Sequence, residues 1–430
     1  MTKAIVLSID SLFEKDLEFV KDLPNFKSIL ENCSIVKNIN CIYPTLTYPC
    51  HTSMVTGVYP KKHGIYHNEK FEPNKKNSDW YWYSKDIKVK TIMDVAKENN
   101  LTTSSVLWPV MGGNPNIDYN VAEIWAPNRE DDPRETFEKS SSKIIMDDIY
   151  NRHCHHLDWK FEPNLDFFGV NCAVDIIKEY KPDLMLIHLA TLDHTRHDNG
   201  LFNEKIDEAL IMNDKWLGKI IQATKDAGTY EDTNFIVLGD HGHLRVDKVV
   251  NPNVLLKERG FIKVEDGEIK DFDAFVNSSG ISAQVIVNNL DRLQELRELL
   301  EEYKDELFIE SIFSKEEASE LGAEGNFEMV LEGIEGISFG NDLDGSVIKG
   351  PDTKDYKFAV STHGHLPTKG NRPPFIAFGP NIKNGEVVEE GDIRSHAATI
   401  LKIFGLELDG VEKEAFDFIK QSKKICYKLK

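Results

Sequence analysis

The chemistry-bearing residues of this chain lie in short, widely separated groups. "YPTLTYPCHTSMVTG" (Tyr43–Gly57) brings two threonines to the start of an expected helix. Pro49 suits a first helical turn, where its missing N–H does no harm. A threonine just before it can cap the helix. The alternative is a nucleophilic hydroxyl, held where free backbone N–H groups favour an oxyanion. This stretch alone leaves both readings open. Elsewhere, Asp10 closes the first apolar run, "DHTRH" supplies Asp193 and His197, "GDHGH" supplies Asp240 and His241, and "STHGH" supplies His363 with His365 close by. Three carboxylates and three or four imidazoles are donors of the kind that hold zinc. Their number suits two ions rather than one. Two divalent cations ~4 Å apart clamp the attacking and leaving oxygens of a phosphoryl transfer.

The elements that must position these groups follow from the apolar pattern. "AIVLSID", "DLMLIHLATLD" and "TNFIVLGDHGH" read as buried strands ending in Asp10, Asp193 and Asp240. Helical patterns separate them: "PNFKSILENC", "VKTIMDVAKENNL", "CAVDIIKEYKP" and the long "FNEKIDEALIMNDKWLGKIIQATKDAG". "SIVKNINCIYP" and "TTSSVLWP" read as further strands. The alternation predicts an α/β fold with a doubly wound, mostly parallel sheet sandwiched by helices. Carboxylates at strand C-termini matter because such sheets bind ligands at that edge. From Val246 to Ser361 the rhythm changes to an α+β pattern, including "ISAQVIVNN" and "LDRLQELRELLEEYKDEL". We therefore expect a catalytic core of residues 1–245 and 362–430 and an inserted cap of residues 246–361. Residues from Asn128 to Asp166 are polar and mixed, an expected surface excursion. The metal-like "RHCHH" within it (Arg152 to His156) has no apolar strand beneath it and reads as solvated surface.

Bulk properties exclude some partners. The 430 residues carry a net charge of −21, which disfavours a nucleic acid polymer or an anionic membrane. A small anionic substrate is still compatible, because bound metal reverses the local field. The six cysteines form no CxxC pair, and the N-terminus enters a strand directly, so a reducing, cytoplasmic setting is expected.

"PTLTYPCHTSMVTGVYPKKHGIYHN" resembles the signature of the alkaline phosphatase superfamily, specifically its type I phosphodiesterase/nucleotide pyrophosphatase branch. That signature runs P-T-x-T-F-P-N-H, then V-T-G-x-Y-P, H-G-I and a closing D-N. The resemblance is ordered along the chain through Asp10, this block, Asp193/His197, Asp240/His241 and His363. It implies an alkaline phosphatase-like fold and two Zn2+ ions, with Mn2+ the alternative. It implies that Thr47 is the nucleophile, with Thr45 the fallback, and that hydrolysis of phosphodiester or pyrophosphate bonds passes through a phosphothreonine. Asp10, Asp240, His241 and Thr47 resemble the zinc site that activates the nucleophile. Asp193, His197 and His363 resemble the second. Asn68 lies where a donor to a phosphate oxygen is expected, and Tyr48 where an aromatic lines the substrate pocket. "WYWY" (Trp80 to Tyr83) could line that pocket or pack. Cys50, Tyr48 and "YHN" depart from the signature, and "THGHLP" departs at His365 from the pattern of many nucleotide-hydrolysing members. The metal set is intact. Phosphonoacetate hydrolase-like or phosphomonoesterase activity with the same metals is the alternative, and a metal-dependent phosphomutase a more distant one. The implied partner is a small phosphoester or phosphonate.

Overall fold

The structure is a computed structural model that describes residues 1–75, 77–125, 132–157 and 163–420. Residues 128–131 and 158–162 of the expected excursion, and Cys426, lie outside the described residues. Six strands in chain order build most of the central sheet: β1 (Lys3–Ile9), β2 (Ser34–Asn40), β3 (Thr103–Val106), β4 (Tyr119–Val121), β5 (Leu184–Leu189) and β6 (Thr233–Leu238). Strands Phe375–Phe378 and Val387–Asp392 complete eight. The spatial order is Val387–Asp392, β2, Phe375–Phe378, β6, β1, β5, β3, β4. Only Phe375–Phe378 runs antiparallel to its neighbours; the other pairings are parallel.

Burial on both faces explains the continuous apolar runs. Ile5, Leu7 and Ile9 of β1 join one core cluster with Met185, Ile187, Phe235 and Val237. Ala4 and Val6 face the opposite cluster with Leu184, Leu186, Ile236 and Leu238. The period-two alternation of strand side chains thus feeds two helical layers. Because β1 lies between β5 and β6, all parallel, the ends of these three runs meet at one edge.

Strand β7 (Leu244–Val250) turns away from that edge and pairs antiparallel with Ser361–Thr362, placing Thr362 opposite Leu244. Between them lies an antiparallel sheet in the order Ala274–Ser278, Ser282–Val287, Met329–Gly333, Ile309–Ser314. It has its own apolar cluster, including Phe275, Val285, Leu296, Leu331 and Phe339. The expected boundary between residues 245 and 246 falls inside β7.

Two expected element ends move. Strand β5 stops at Leu189, and Asp193 lies in the first turn of helix Thr191–Asn199, not at a strand end. The Asp166 carboxylate accepts from the Ala190 and Thr191 N–H groups at 3.0 and 2.7 Å. That long-range cap starts a helix where the local pattern reads as strand. The helix expected from Pro49 begins two residues earlier and spans Thr47–Thr56. In "RHCHH", Arg152 pairs with Asp175 and Glu179, and His153 Nε2 lies 2.8 Å from Asp175. Arg152 is thus committed to ion pairs on the surface of the fold.

Candidate metal centre and nucleophile

Thr47 is the first residue of its helix, and Leu46, with no capping side chain, precedes it. Neither threonine caps. Thr45 Oγ1 instead donates to the His365 carbonyl at 3.0 Å and accepts from the Gly364 N–H at 3.1 Å. It ties the helix entry to the loop bearing His363. Thr47 Oγ1 is 3.0 Å from His241 Nε2. His51, one turn on, holds the Thr47 carbonyl through Nδ1 at 2.8 Å and the Ser8 hydroxyl through Nε2 at 2.9 Å.

Two groups of donors converge beside Thr47. Asp10, Asp240 and His241 form one; Asp193, His241, His243 and His363 form the other. His241 Nε2 is 3.3 Å from both Asp10 Oδ1 and Asp240 Oδ2. Asp193 and His197, four residues apart on one helix face, approach to 3.2 Å. His197 Nδ1 bonds the Ser361 carbonyl at 2.7 Å, which turns Nε2 toward Asp193. The antiparallel pairing of β7 with Ser361–Thr362 brings His363 to the strand-end carboxylates. Asp10 Oδ2 is held by His188 Nε2 at 3.1 Å, and Asp240 Oδ1 by the Ser11 N–H at 3.0 Å.

The chemistry of this donor set fits divalent metal. Asp10 Oδ1, Asp240 Oδ2, His197 Nε2 and His363 Nδ1 are sealed from water without a hydrogen bond. Each such orphan costs ~1–3 kcal/mol if nothing compensates it. Burial pushes the Asp10 carboxyl well up, and the Asp193 and Asp240 charges push the same way. Cations relieve both penalties at once. Burial also holds His243 and His363 in the neutral form that ligates metal.

A family model described as type I phosphodiesterase/nucleotide pyrophosphatase matches residues 4–323. The chain belongs to this family.

Members of the type I phosphodiesterase/nucleotide pyrophosphatase family are hydrolytic enzymes. Curated relatives include ectonucleotide pyrophosphatase/phosphodiesterase family member 1 of Mus musculus, 27% identical over 222 residues, 50% of this chain and 21% of that protein. Venom phosphodiesterase 2 of Crotalus adamanteus is 24% identical over 231 residues, 51% of this chain and 24% of that protein. The matched region thus spans under a quarter of those relatives. Among solved structures, murine ectonucleotide pyrophosphatase/phosphodiesterase 5, an inactive Thr-to-Ala variant in complex with AMP, superposes with a TM-score of 0.68. It is 18% identical, covering 95% of this chain and 96% of that one, which establishes the fold.

Within this family fold, the residues expected from sequence surround one cleft of about 230 Å3. Asp10, Thr47, Tyr48, Asn68, Asp193, His197 and His363 line it, and Asp240 and His241 lie directly behind Thr47. Asn68 Oδ1 accepts from the Tyr48 N–H at 3.0 Å, and its amide nitrogen, which donates to Tyr356 Oη at 3.4 Å, keeps a second hydrogen to donate. Trp80 of "WYWY" lines the cleft, whereas Trp82 is buried behind it. His365 turns away, with Nδ1 2.8 Å from the Leu366 carbonyl.

Two residues escaped the sequence reading. His243 Nδ1 lies 3.1 Å from Ser361 Oγ, and its Nε2 faces Asp193. The repeated H-G-H pattern of "GDHGH" and "STHGH" was a usable signal. In both, a Cβ on the middle glycine would strike a backbone oxygen at 1.9 Å, from Asn371 at Gly242 and from Ser279 at Gly364. Glu123, also on the cleft wall, had no local signal, because it follows the short edge strand β4.

Proposed function

We propose that this protein hydrolyses small phosphodiesters or pyrophosphates with two zinc ions, through a covalent phosphothreonine on Thr47. The observation that carries this reading is the Thr47 hydroxyl at a helix N-terminus, 3.0 Å from His241 and within one cleft with Asp10, Asp193, His197 and His363. Asp10, Thr47, Asp240 and His241 would hold one zinc and Asp193, His197 and His363 the other, supplying Lewis acidity toward the attacking and leaving oxygens.

The chain's own residues do the rest. The His51 bond to the Thr47 carbonyl fixes the first helical turn, so Oγ1 points into the cleft. Thr47 Oγ1 forms the new bond to phosphorus as one ester bond breaks and its oxygen departs. Water then cleaves the phosphothreonine, releasing a phosphomonoester and restoring the hydroxyl. Asn68 Nδ2 donates to a non-bridging oxygen, its orientation set by the Tyr48 N–H. No lysine or arginine stands among the described residues lining the cleft. That favours a monoanionic diester over a monoester dianion, which rewards a cationic clamp.

The test is turnover of bis-p-nitrophenyl phosphate against p-nitrophenyl phosphate by the zinc-loaded protein, with acid-quenched peptide mapping. Diester preference and phosphate on the Thr47 peptide are expected. Monoester preference, or phosphate on another residue, would overturn the assignment.

A further inference from the structure

Two loops meet behind the cleft. Residues 43–47 lead into Thr47, and residues 363–366 begin with His363. They are tied to each other at Thr45. The Gly364 N–H reaches both the Thr45 hydroxyl, at 3.1 Å, and the Thr45 carbonyl, at 3.0 Å. The Thr45 hydroxyl in turn donates to the His365 carbonyl. Two loops bound only to each other can still shift as a unit. Their position against the rest of the molecule needs a further anchor.

The inserted antiparallel sheet supplies it. The Ile281 N–H donates to the His363 carbonyl at 3.0 Å. Ser282 Oγ donates to the Gly364 carbonyl at 2.5 Å. Glu332, on strand Met329–Gly333, lies directly opposite Ser282 in the ladder and reaches both loops. Tyr43 Oη donates to its Oε2 at 3.0 Å, and the Leu366 N–H donates to its Oε1 at 3.1 Å. The Tyr43 ring is itself fixed, buried with Phe327 and Val330 and edge-on to Phe313 at 6.1 Å.

These contacts do not depend on charge. Burial pushes the Glu332 carboxyl up to about 7, so near neutral pH it is about half protonated. The neutral acid still offers its carbonyl oxygen to the Leu366 N–H, and its hydroxyl and that of Tyr43 can each donate to the other. Lys369 also has other partners, Glu310 and the Gly333 carbonyl. What the two loops require of residue 332 is a pair of polar atoms at a fixed spacing.

We infer that Glu332 is a positioning residue for the reaction: through Tyr43 and Leu366 it sets the placement of the Thr47 hydroxyl relative to the His363 imidazole. The inserted sheet is then part of the catalytic frame. A misplacement of about 1 Å at the reacting atoms can cost roughly a hundredfold in rate, so a residue that touches neither metal nor substrate can control turnover. The effect on turnover rests on the two-zinc diesterase reading; the effect on the loops rests on the hydrogen bonds alone.

Three variants test this. Glu332→Leu removes both polar contacts at similar volume, Tyr43→Phe removes one, and Glu332→Gln keeps an acceptor for Leu366 and a polar partner for Tyr43. In Glu332→Leu, kcat for bis-p-nitrophenyl phosphate should fall about tenfold or more, with KM changed less than about threefold. Zinc titration of the metal-free protein should show one class of site weakened about fivefold or more. Amide hydrogen exchange, followed by mass spectrometry, should quicken in peptides covering residues 43–50 and 361–368. Tyr43→Phe should show the same pattern at about threefold or more in kcat, and Glu332→Gln should recover to within about threefold of wild type. Wild-type kcat and zinc affinity in Glu332→Leu, with only a lower urea midpoint, would make Glu332 merely structural and overturn the inference. So would a Glu332→Gln protein as slow as Glu332→Leu. Should Glu332→Leu not fold, Tyr43→Phe decides: wild-type kcat and exchange in that protein overturn the inference. Failure of the wild-type protein to turn over bis-p-nitrophenyl phosphate would sink the diesterase reading instead, leaving zinc titration and hydrogen exchange to decide the role of Glu332.

Discussion

His243 Nε2 lies 2.6 Å from Asp193 Oδ1. The other oxygen of Asp193 faces His197. Ser361 braces both imidazoles, taking His197 Nδ1 on its carbonyl and His243 Nδ1 on its hydroxyl. One residue of a two-residue strand thus orients two imidazoles around a single carboxylate.

Removing His243 should therefore weaken metal binding without emptying both sites. In His243→Gln, titration of the metal-free protein with zinc against a chromogenic chelator should show one class of site weakened about 10–100-fold. Superimposable isotherms for the two proteins would show that His243 plays no part in metal affinity.

The two threonines should separate cleanly. Thr47→Ala removes the oxygen proposed to attack, and turnover of bis-p-nitrophenyl phosphate should drop more than about a thousandfold. Thr45→Ala loses two bonds to the His363 loop. It should cost ~1–3 kcal/mol in urea unfolding while keeping measurable turnover. The reverse pattern of activities would make Thr45 the nucleophile.

Asn68→Ala should slow the chemical step by about a hundredfold, the cost of one donor to a developing charge. The loss belongs in kcat. A change confined to KM would assign Asn68 to ground-state binding.

Glu332 gives a stability prediction away from the metals. Strand Met329–Gly333 carries it, fully buried, against the Tyr43 hydroxyl at 3.0 Å, the Leu366 N–H at 3.1 Å and Lys369 at 2.9 Å. Burial, only partly offset by Lys369, pushes its carboxyl up to about 7. The folded state then holds this proton more tightly than the unfolded one. Its contribution is fully present below pH ~4.5, falls as pH rises to about 7 and is flat above. The change amounts to roughly 3 kcal/mol. Urea unfolding across that range should show the wild-type slope reduced in Glu332→Gln. Parallel stability curves for the two proteins would contradict it.

Much of the fold was legible because buried parallel strands announce themselves. "AIVLSI", "LMLIHL" and "TNFIVL" are apolar on both faces and can only be central, and the Asp10 and Asp240 carboxylates just past such runs stand out against them. The helix bearing Asp193 was not legible. Its start depends on the carboxylate of Asp166, 24 residues upstream of Ala190. The i, i+4 spacing of Asp193 and His197 was visible, but not that it lies on a helix.

The sequence by itself determined the parallel sheet, since buried strands are written in local pattern, while the proposal of Thr47 as nucleophile came from the resemblance to an ordered motif. Tertiary structure alone decided that His243 joins Asp193 and that Glu123 takes the Tyr48 hydroxyl. Both depend on contacts between segments far apart in the chain: β7 against Ser361–Thr362 for the first, and the end of β4 against the Tyr48 helix for the second. No local propensity encodes which distant segments share a cleft, because that choice is made by the packing of the whole core.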